Sequence, residues 1–349
     1  MSEDVWSARD TTPDAIEAAL RELLRERHAT DAGVAPARVL NLVVIVDREW
    51  KGEIANRLER AGQYHASRTV LCAVEPGRSA LDAMATIGYD EPREGLSVMR
   101  ETVEIDVGPE HLLALSTIVD PVLVSELPTV CWSPHGHDEV VRALLPLIDV
   151  ILLDSDDLPD PREAFDRAER VRRAAYIVDL AWLRTTPWRE RLAVSFDLPA
   201  RREALRELSG VEIRHRDGST ASALLLAGWL ASRLGWEQTP LAAHSGGADH
   251  EGVVHGERGE VAIVLRQANQ EAPGLNGVTV SSADSSLSLQ RSLGGLDAVE
   301  ELPDGRHVFK ILGASRGEGG ILGEGIRQAL LREPTYGPAL DAARELCPV

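Results

Sequence analysis

Three cysteines in 349 residues, Cys72, Cys131 and Cys347, exclude a disulfide framework, and no two of them form a C-x-x-C pair. Lysine is almost missing. Lys51 and Lys310 are the only two, so nearly all positive charge is guanidinium, which suits fixed forks onto carboxylates or phosphates better than proton transfer. No apolar run is long enough to cross a bilayer. The amino terminus, MSEDVWSARDTTPD, lacks the basic start and apolar stretch of a signal peptide, so a reducing cytoplasm is the expected compartment. Basic charge is also in deficit: 56 acidic against 37 basic residues leave a formal charge of −19. That charge repels phosphate backbones and anionic lipid surfaces, so neither nucleic acid nor a membrane is an expected partner.

Length and composition allow two ordinary domains that need no metal or disulfide staple, with 44% apolar and 27% charged residues. TTPDAIEAALRELLRERH places Thr12 as a helix N-cap, Pro13 at the first helical position, and Ile16, Leu20, Leu23 and Leu24 on one face. VLNLVVIVD, GEIANRLERAG and SRTVLCAVE then read as strand, helix and strand, a crossover unit with a parallel pair buried on both faces. VMRETVEIDV alternates and predicts an edge or antiparallel strand. HLLALSTIVDPVLVSEL is helical until Pro121 interrupts it. PTVCW, DEVVRALLPLID, DVILLDS and PREAFDRAERVRR continue as strand, helix, strand and helix.

After AYIVDLAWLRTTPWRERLAVSFD the character changes. Helices RREALREL and ASALLLAGWLASRLG precede EVAIVLRQ, GVTVSS, SLSLQRS and RHVFKILG, strands too close together for crossovers and so antiparallel. The expected fold class is an α/β N-terminal domain with a mainly parallel sheet, residues 1–160, followed by an α+β domain with a mainly antiparallel sheet, residues 161–349. The boundary is placed in the acidic stretch DSDDLPDPRE or the helix after it. No internal repeat is apparent.

Four patterns invite chemistry. Gly313-Ala314-Ser315-Arg316-Gly317 matches the G-x-S-x-G nucleophile elbow between a strand and a helix. In that fold the acid and histidine follow the serine, whereas the last histidine here is His307, so a glycine-rich turn into a helix is the expectation. Asp154 and Asp156 end an apolar strand in the D-x-D spacing of phosphoryl-transferring aspartates, but no later lysine with an acidic pair completes that set, and an acidic linker is expected. DREWKGE after the first strand has a single glycine, and SRGEGGILGEG misses the G-x-G-x-x-G register, which leaves only an anion at the helix start near Gly317 to Gly320 as an alternative. In PTVCWSPHGHDEVV, Cys131, His135 and His137 do not have a zinc spacing and would need a fourth ligand. Cys131 falls in a buried strand, His137 or Asp138 can cap the next helix, and Pro134 with Gly136 shapes the turn. A structured loop at the carboxyl end of a strand follows, where α/β proteins expose functional surface.

AWLRTTPWRERLA gathers Trp182, Arg184, Trp188, Arg189 and Arg191, the residue types that dominate binding hot spots. Thr186 as N-cap and Pro187 at the first helical position would instead turn Trp188 inward, so interface and core both stand open.

The strings LNLVVIVDREWKGEIANRLERAGQYHASRTVLCAVEPGR, TIVDPVLVSELPTVCWSPHGHDEVVRALLPLIDVILLDSDD and YIVDLAWLRTTPWRERLAVSFD resemble the glucose-6-phosphate dehydrogenase assembly protein family, OpcA, in its actinobacterial form. The resemblance runs from Val39 to Trp236, is looser beyond, and recovers around Tyr336. It implies a non-catalytic partner that promotes assembly or activation of glucose-6-phosphate dehydrogenase, with no cofactor or metal and no catalytic residue assigned. Trp132, His135, His137, Trp182, Arg184, Trp188 and Arg189 are carried over as candidate partner-binding residues. Photosynthetic relatives are associated with redox control, which the missing C-x-x-C pair and the strand positions of Cys72 and Cys131 disfavour here. The alternative is a sugar-phosphate or nucleotide sensor or enzyme built on the arginine-rich loops and a glycine-rich anion site.

Overall fold

The computed structural model describes residues 3–30, 38–62, 66–89, 99–197, 199–243, 249–312 and 318–348. In chain order the elements begin with β1 (Glu3–Ala8), α1 (Pro13–Thr30), β2 (Leu40–Asp47), α2 (Lys51–Gly62), β3 (Ser67–Val74), β4 (Asp82–Tyr89), β5 (Met99–Val107), α3 (Leu115–Val119), β6 (Thr129–Trp132), α4 (Asp138–Leu144), β7 (Val150–Leu153), α5 (Pro161–Arg172) and β8 (Tyr176–Asp179). They continue with α6 (Leu180–Ser195), α7 (Pro199–Arg202), β9 (Gly210–His215), α8 (Thr220–Leu234), β10 (Ala242–Ala243), β11 (His250–Gly256), β12 (Gly259–Gln267), β13 (Leu275–Ser281), β14 (Ser286–Ser292), β15 (Gly295–Leu302), β16 (Gly305–Leu312), α9 (Glu318–Gln328) and α10 (Tyr336–Leu346). Two compact units result. The first holds Met1–Leu153, Val171–Val178 and Leu322–Leu331; the second holds Asp154–Arg170, Asp179–Ile321 and Arg332–Val349.

The first unit is built on a sheet in the order β1-β4-β5-β3-β2-β6-β7-β8. From β5 through β3, β2 and β6 to β7 the pairings are parallel, while β4 and β1 add antiparallel strands at one side. Leu42 to Val46 are buried on both faces, as an unbroken β-branched run requires. Thr12 caps α1 as expected, its hydroxyl accepting the Ala15 N–H at 3.3 Å, and Ile16 and Leu20 turn into the core. Of the two places expected for β5, edge or antiparallel, the second holds on one side: it lies between β4 and β3, antiparallel to the first and parallel to the second. Its strict alternation of buried and half-buried residues records one covered and one open face, which periodicity alone cannot tell from an edge.

The second unit carries a sheet in the order β10-β11-β12-β9-β13-β14-β15-β16, antiparallel throughout except for the β12–β9 pair. Both units therefore combine a sheet with helices, one mostly parallel and one mostly antiparallel. RREALREL forms only the short α7 and a following 3-10 turn at Glu203–Glu207. Helix α8 is apolar nearly all round and buried from Ala221 to Gly228, and α10 packs on it. Their approach depends on Gly228: a Cβ there would stand 2.3 Å from the Ala339 carbonyl oxygen and 2.7 Å from the Ala343 nitrogen. Both are backbone atoms that no rotamer change can move aside.

Gly228→Ala is accordingly expected to cost about 1–3 kcal/mol, the usual range for overpacking. Gly52→Ala in α2, where nothing lies within 4 Å, should leave stability unchanged or slightly raised. Urea denaturation of both variants beside the parent measures the contrast.

Candidate functional site

In the first unit the sheet grows from β2 outward in two directions, to β3 on one side and β6 on the other. The carboxyl ends of β2 and β6 are thus the topological switch point, the position at which open α/β sheets bind ligands. PTVCWSPHGHDEVV supplies one of the two loops there. The turn Asp47 to Trp50 supplies the other, and its part was not read from sequence because no glycine pattern marks it.

The two loops are joined side chain to side chain. His137 Nε2 lies 3.1 Å from Asp47 Oδ1, and the His135 ring sits 5.3 Å from that of Trp50 at an interplanar angle of 40°. Ser133 donates to the carbonyls of Ile45 and Gly136, which ties the second loop back onto β2. Gly136 and His137 both have left-handed backbone, φ 99° and 56°, and this double turn aims the two imidazoles at the first loop. His137 occupies the N-cap position of α4 but makes no side-chain cap bond, its ring being spent on Asp47. Partial burial lowers the His135 pKa, against the pull of Asp47 and Glu53. Trp132 is fully buried with the Arg57 guanidinium 5.3 Å above its ring, whereas His135 is exposed and Trp50 is 42% exposed.

Cys131 faces the core, and burial keeps its thiol protonated, as it does Cys72 at a pKa of about 12 and Cys347 at about 11. Among the described residues no three of His, Cys, Asp and Glu are grouped to hold a metal. The loop after β2 does not fit a dinucleotide either. A bulky Trp50 and the carboxylates of Asp47 and Glu49 stand where a glycine turn would cradle a pyrophosphate, and Lys51 is taken up by Glu104 at 2.9 Å and Asp106 at 2.7 Å.

The other candidate segment lies in the second unit, and there the structure corrects the sequence reading twice. Helix α6 starts at Leu180, not at Pro187, because the Asp179 carboxylate caps it by accepting the Ala181 N–H at 3.0 Å. Pro187 sits inside the helix. Of the two readings open for this segment, packing inward describes the side chains: Trp182, Arg184, Trp188 and Arg189 are all buried. The Arg189 guanidinium lies 3.5 Å over the Trp182 ring, donates to Thr185 and Thr186, and is brought down to a pKa of about 10 by burial.

The second correction concerns Asp154 and Asp156, which belong to no solvated linker. Arg184 forks onto Asp154 at 2.8 and 2.6 Å and stands 3.6 Å from Asp156. Ser222 of α8 donates its N–H and hydroxyl to Asp156 at 3.0 and 2.6 Å. Asp179 accepts from the Ser155 hydroxyl at 2.6 Å and from Tyr336 of α10 at 3.0 Å. Two buried carboxylates thus share one guanidinium, and a third, Asp179, is held by hydroxyls beside them. Desolvation, then the charge of Asp154, raises the pKa of Asp156 to about 7 and of Asp179 to about 6, despite the hydrogen bonds they accept. Sequence showed the Asp154 and Asp156 pair and the arginine but not their meeting. Asp179 directly before the apolar LAWL was a readable N-cap signal. The G-x-S-x-G turn, Gly313 to Gly317, lies outside the described residues.

Residues 58–170 match the model of the N-terminal domain, and residues 175–333 that of the C-terminal domain, of the glucose-6-phosphate dehydrogenase subunit OpcA. The two spans take in most of the chain. The chain belongs to the OpcA family. Two curated relatives carry the provisional name OxPP cycle protein OpcA. The one from Synechococcus elongatus is 31% identical over 43% of this chain and 34% of its own length. The one from Synechocystis is 34% identical over 38% of this chain and 28% of its own. This chain thus spans about a third of the length of the OpcA relatives it matches. Among solved structures, a super-repressor mutant of Gal80p from Saccharomyces cerevisiae superposes with a TM-score of 0.52 at 9% identity, over 89% of this chain and 94% of that one. The 3-ketoreductase KijD10 from Actinomadura kijaniata, in complex with TDP-benzene and NADP, gives 0.51 at 10% identity over 88% and 95%. At such identity the likeness shows the fold alone. No helix among the described residues is long and apolar enough to cross a membrane.

The carboxylate cluster sets a pH dependence whose sign is determined. A folded-state pKa raised from 3.8 to about 7 means that the folded chain holds a proton the unfolded chain has lost. Stability therefore falls as pH rises between about 4 and 7, by up to about 1.4 kcal/mol per pH unit for one proton, and levels off above. Asp156→Asn should lessen the fall of urea midpoints from pH 5 to 8, the remainder belonging to Asp179, and Arg184→Leu, which strands Asp154, should cost about 3–5 kcal/mol.

Proposed function

We propose that this chain is a non-catalytic assembly factor and activator that binds glucose-6-phosphate dehydrogenase and favours its active oligomer, serving the oxidative pentose phosphate cycle. Membership of the OpcA family, with both its domains matched, carries the reading. The side chains agree with it. The three thiols stay protonated, Arg184 and Arg189 of α6 are committed to carboxylates, hydroxyls and an aromatic face, and at the switch point the two loops are joined by the His137–Asp47 and His135–Trp50 contacts. The arginines therefore give no support to an anion sensor.

Activation then works by linkage. A partner that binds the active oligomer more tightly than the inactive or dissociated form shifts the population by that difference in affinity and no further. A tenfold shift needs about 1.4 kcal/mol, within reach of one or two aromatic contacts. Trp50 and His135 supply an exposed ring pair for this purpose, and His137 holds the loop in place through Asp47. Trp132, buried at the end of β6 under the Arg57 guanidinium, supports that loop from inside the first unit. The charge of −19 steers association toward a basic face, so the association rate falls with added salt.

The test is the rate of NADPH formation by the dehydrogenase of the same organism, titrated with glucose 6-phosphate, with and without this chain. A saturable rise in rate or fall in apparent KM is the expected result. Trp50→Ala with His135→Ala should raise the concentration for half-maximal activation roughly 10- to 100-fold. Unchanged activation by the folded double variant removes this loop as the docking surface, and no activation by the parent chain removes the function.

A further inference from the structure

Strand β16 ends its sheet, and among the described residues no strand pairs with its outer side. It is eight residues long, GRHVFKIL, with no proline and no register shift against β15. Val308 is 66% exposed and Leu312 75%, and Leu293 in the neighbouring turn is 95% exposed. A long edge of this kind offers a row of unpaired backbone groups together with apolar side chains, the arrangement by which sheets accept an added strand.

The turns show which backbone groups are free. A two-residue turn, Pro303-Asp304, joins Leu302 to its partner Gly305, which makes that pair a hydrogen-bonded one. Another, Leu293-Gly294, does the same for Ser292 and Gly295 and so points the Gly295 backbone toward β14. Both turns give the same alternation. Gly305, His307, Phe309 and Ile311 bond to β15, and Arg306, Val308, Lys310 and Leu312 direct their N–H and C=O groups outward.

The side chains on those outward residues read cation, apolar, cation, apolar. What suits them is already displayed on the inner side, where Glu301 stands opposite Arg306, Val299 opposite Val308 and Asp297 opposite Lys310. A second copy of β16 would fit less well. In the two registers that pair most of the strand, it lays Arg306 against Lys310, or both cations against Leu312 and Val308, and never meets them with an acid. Two chains of charge −19 also repel one another.

We infer that the outer edge of β16 is a strand-addition site for an extended segment of glucose-6-phosphate dehydrogenase whose alternate residues are acidic and apolar. This rests on the proposed partnership and adds a second contact region, distinct from the Trp50 and His135 loop, with backbone hydrogen bonds as its main source of affinity.

Hydrogen–deuterium exchange on the full chain, alone and saturated with the purified dehydrogenase, reads the edge directly. The amides of Arg306, Val308, Lys310 and Leu312 should exchange at least tenfold more slowly in the complex. Val308→Pro removes one outward N–H without touching the β15 ladder, so it should weaken the complex tenfold or more, while Val308→Thr binds as the parent does. Lys310→Glu, which leaves the backbone alone, should weaken it in the same direction if the proline variant does not fold. A complex that forms without protecting these amides, or that binds the proline variant as tightly, overturns the inference and leaves the partnership standing. No complex with the parent chain overturns both. Protection that appears in the chain alone and grows with its concentration assigns the edge to a second copy and overturns the acidic partner.

Discussion

The second unit depends on one guanidinium. Arg184 bonds Asp154 and approaches Asp156 in their cluster, and its two-pronged contact with Asp154 fixes the turn Ser155–Asp157 against α6. From that turn Asp156 reaches α8 through Ser222 and Ser155 reaches Asp179, which caps α6 and takes the Tyr336 hydroxyl of α10. Three helices are thus registered by groups that have left water. The Gly228 contact between α8 and α10 allows this convergence, since any side chain there would push α10 and its Tyr336 away. Such a network trades stability for definition. Ionising both Asp154 and Asp156 around one guanidinium would leave uncompensated buried charge, so the Asp156 carboxyl keeps its proton well above the ordinary carboxylate range.

The first unit solves a different problem with related means. Its parallel sheet has the topology that exposes a switch point, and a crevice left open there would expose apolar surface and unpaired strand-end backbone groups. The two loops meet there through a histidine–aspartate pair and a tilted histidine–tryptophan contact, partners distant in sequence that the parallel pairing of β2 and β6 brings together. The cost of joining the loops through these side chains is a glycine-lined phosphate cradle. On the proposed reading that cost is no loss, because a surface of fixed rings serves recognition of a protein better than an open cleft does.

Much of this was legible because periodicity and punctuation act locally. α1, the β2-α2-β3 crossover, the parallel character of the first sheet and the antiparallel character of the second follow from runs of Val, Ile and Leu and the residues that interrupt them. What was not legible depends on partners distant in sequence. Asp154 and Arg184 are both charged and thirty positions apart, so each alone reads as solvated, and only the fold shows that they neutralise one another. α6 was misread because Pro187 is a strong local start signal, yet the Asp179 cap and burial of both tryptophans outweigh the one backbone bond the proline removes. β5 was read as edge or antiparallel because its alternation is compatible with both, and it is antiparallel to β4 but internal to the sheet. In the candidate loop, His135 and His137 were found by their clustering, whereas Trp50 and Asp47 gave no signal until the parallel pairing of β2 and β6 brought their ends together.

Burial also sorts the tryptophans and arginines by role. Hot-spot statistics select them for their size and for the donors they carry, but those same properties make them the residues that anchor a core, and α6 uses them so. An exposed ring held by neighbours, as Trp50 is by His135, keeps its shape before a partner arrives and loses little freedom on contact. A free strand edge has the same property: the β15–β16 hairpin has already fixed the backbone geometry that an added strand requires. Preorganisation of this kind lets a modest number of contacts produce a specific shift in a partner's assembly, because little of their binding free energy is spent on ordering the chain that supplies them.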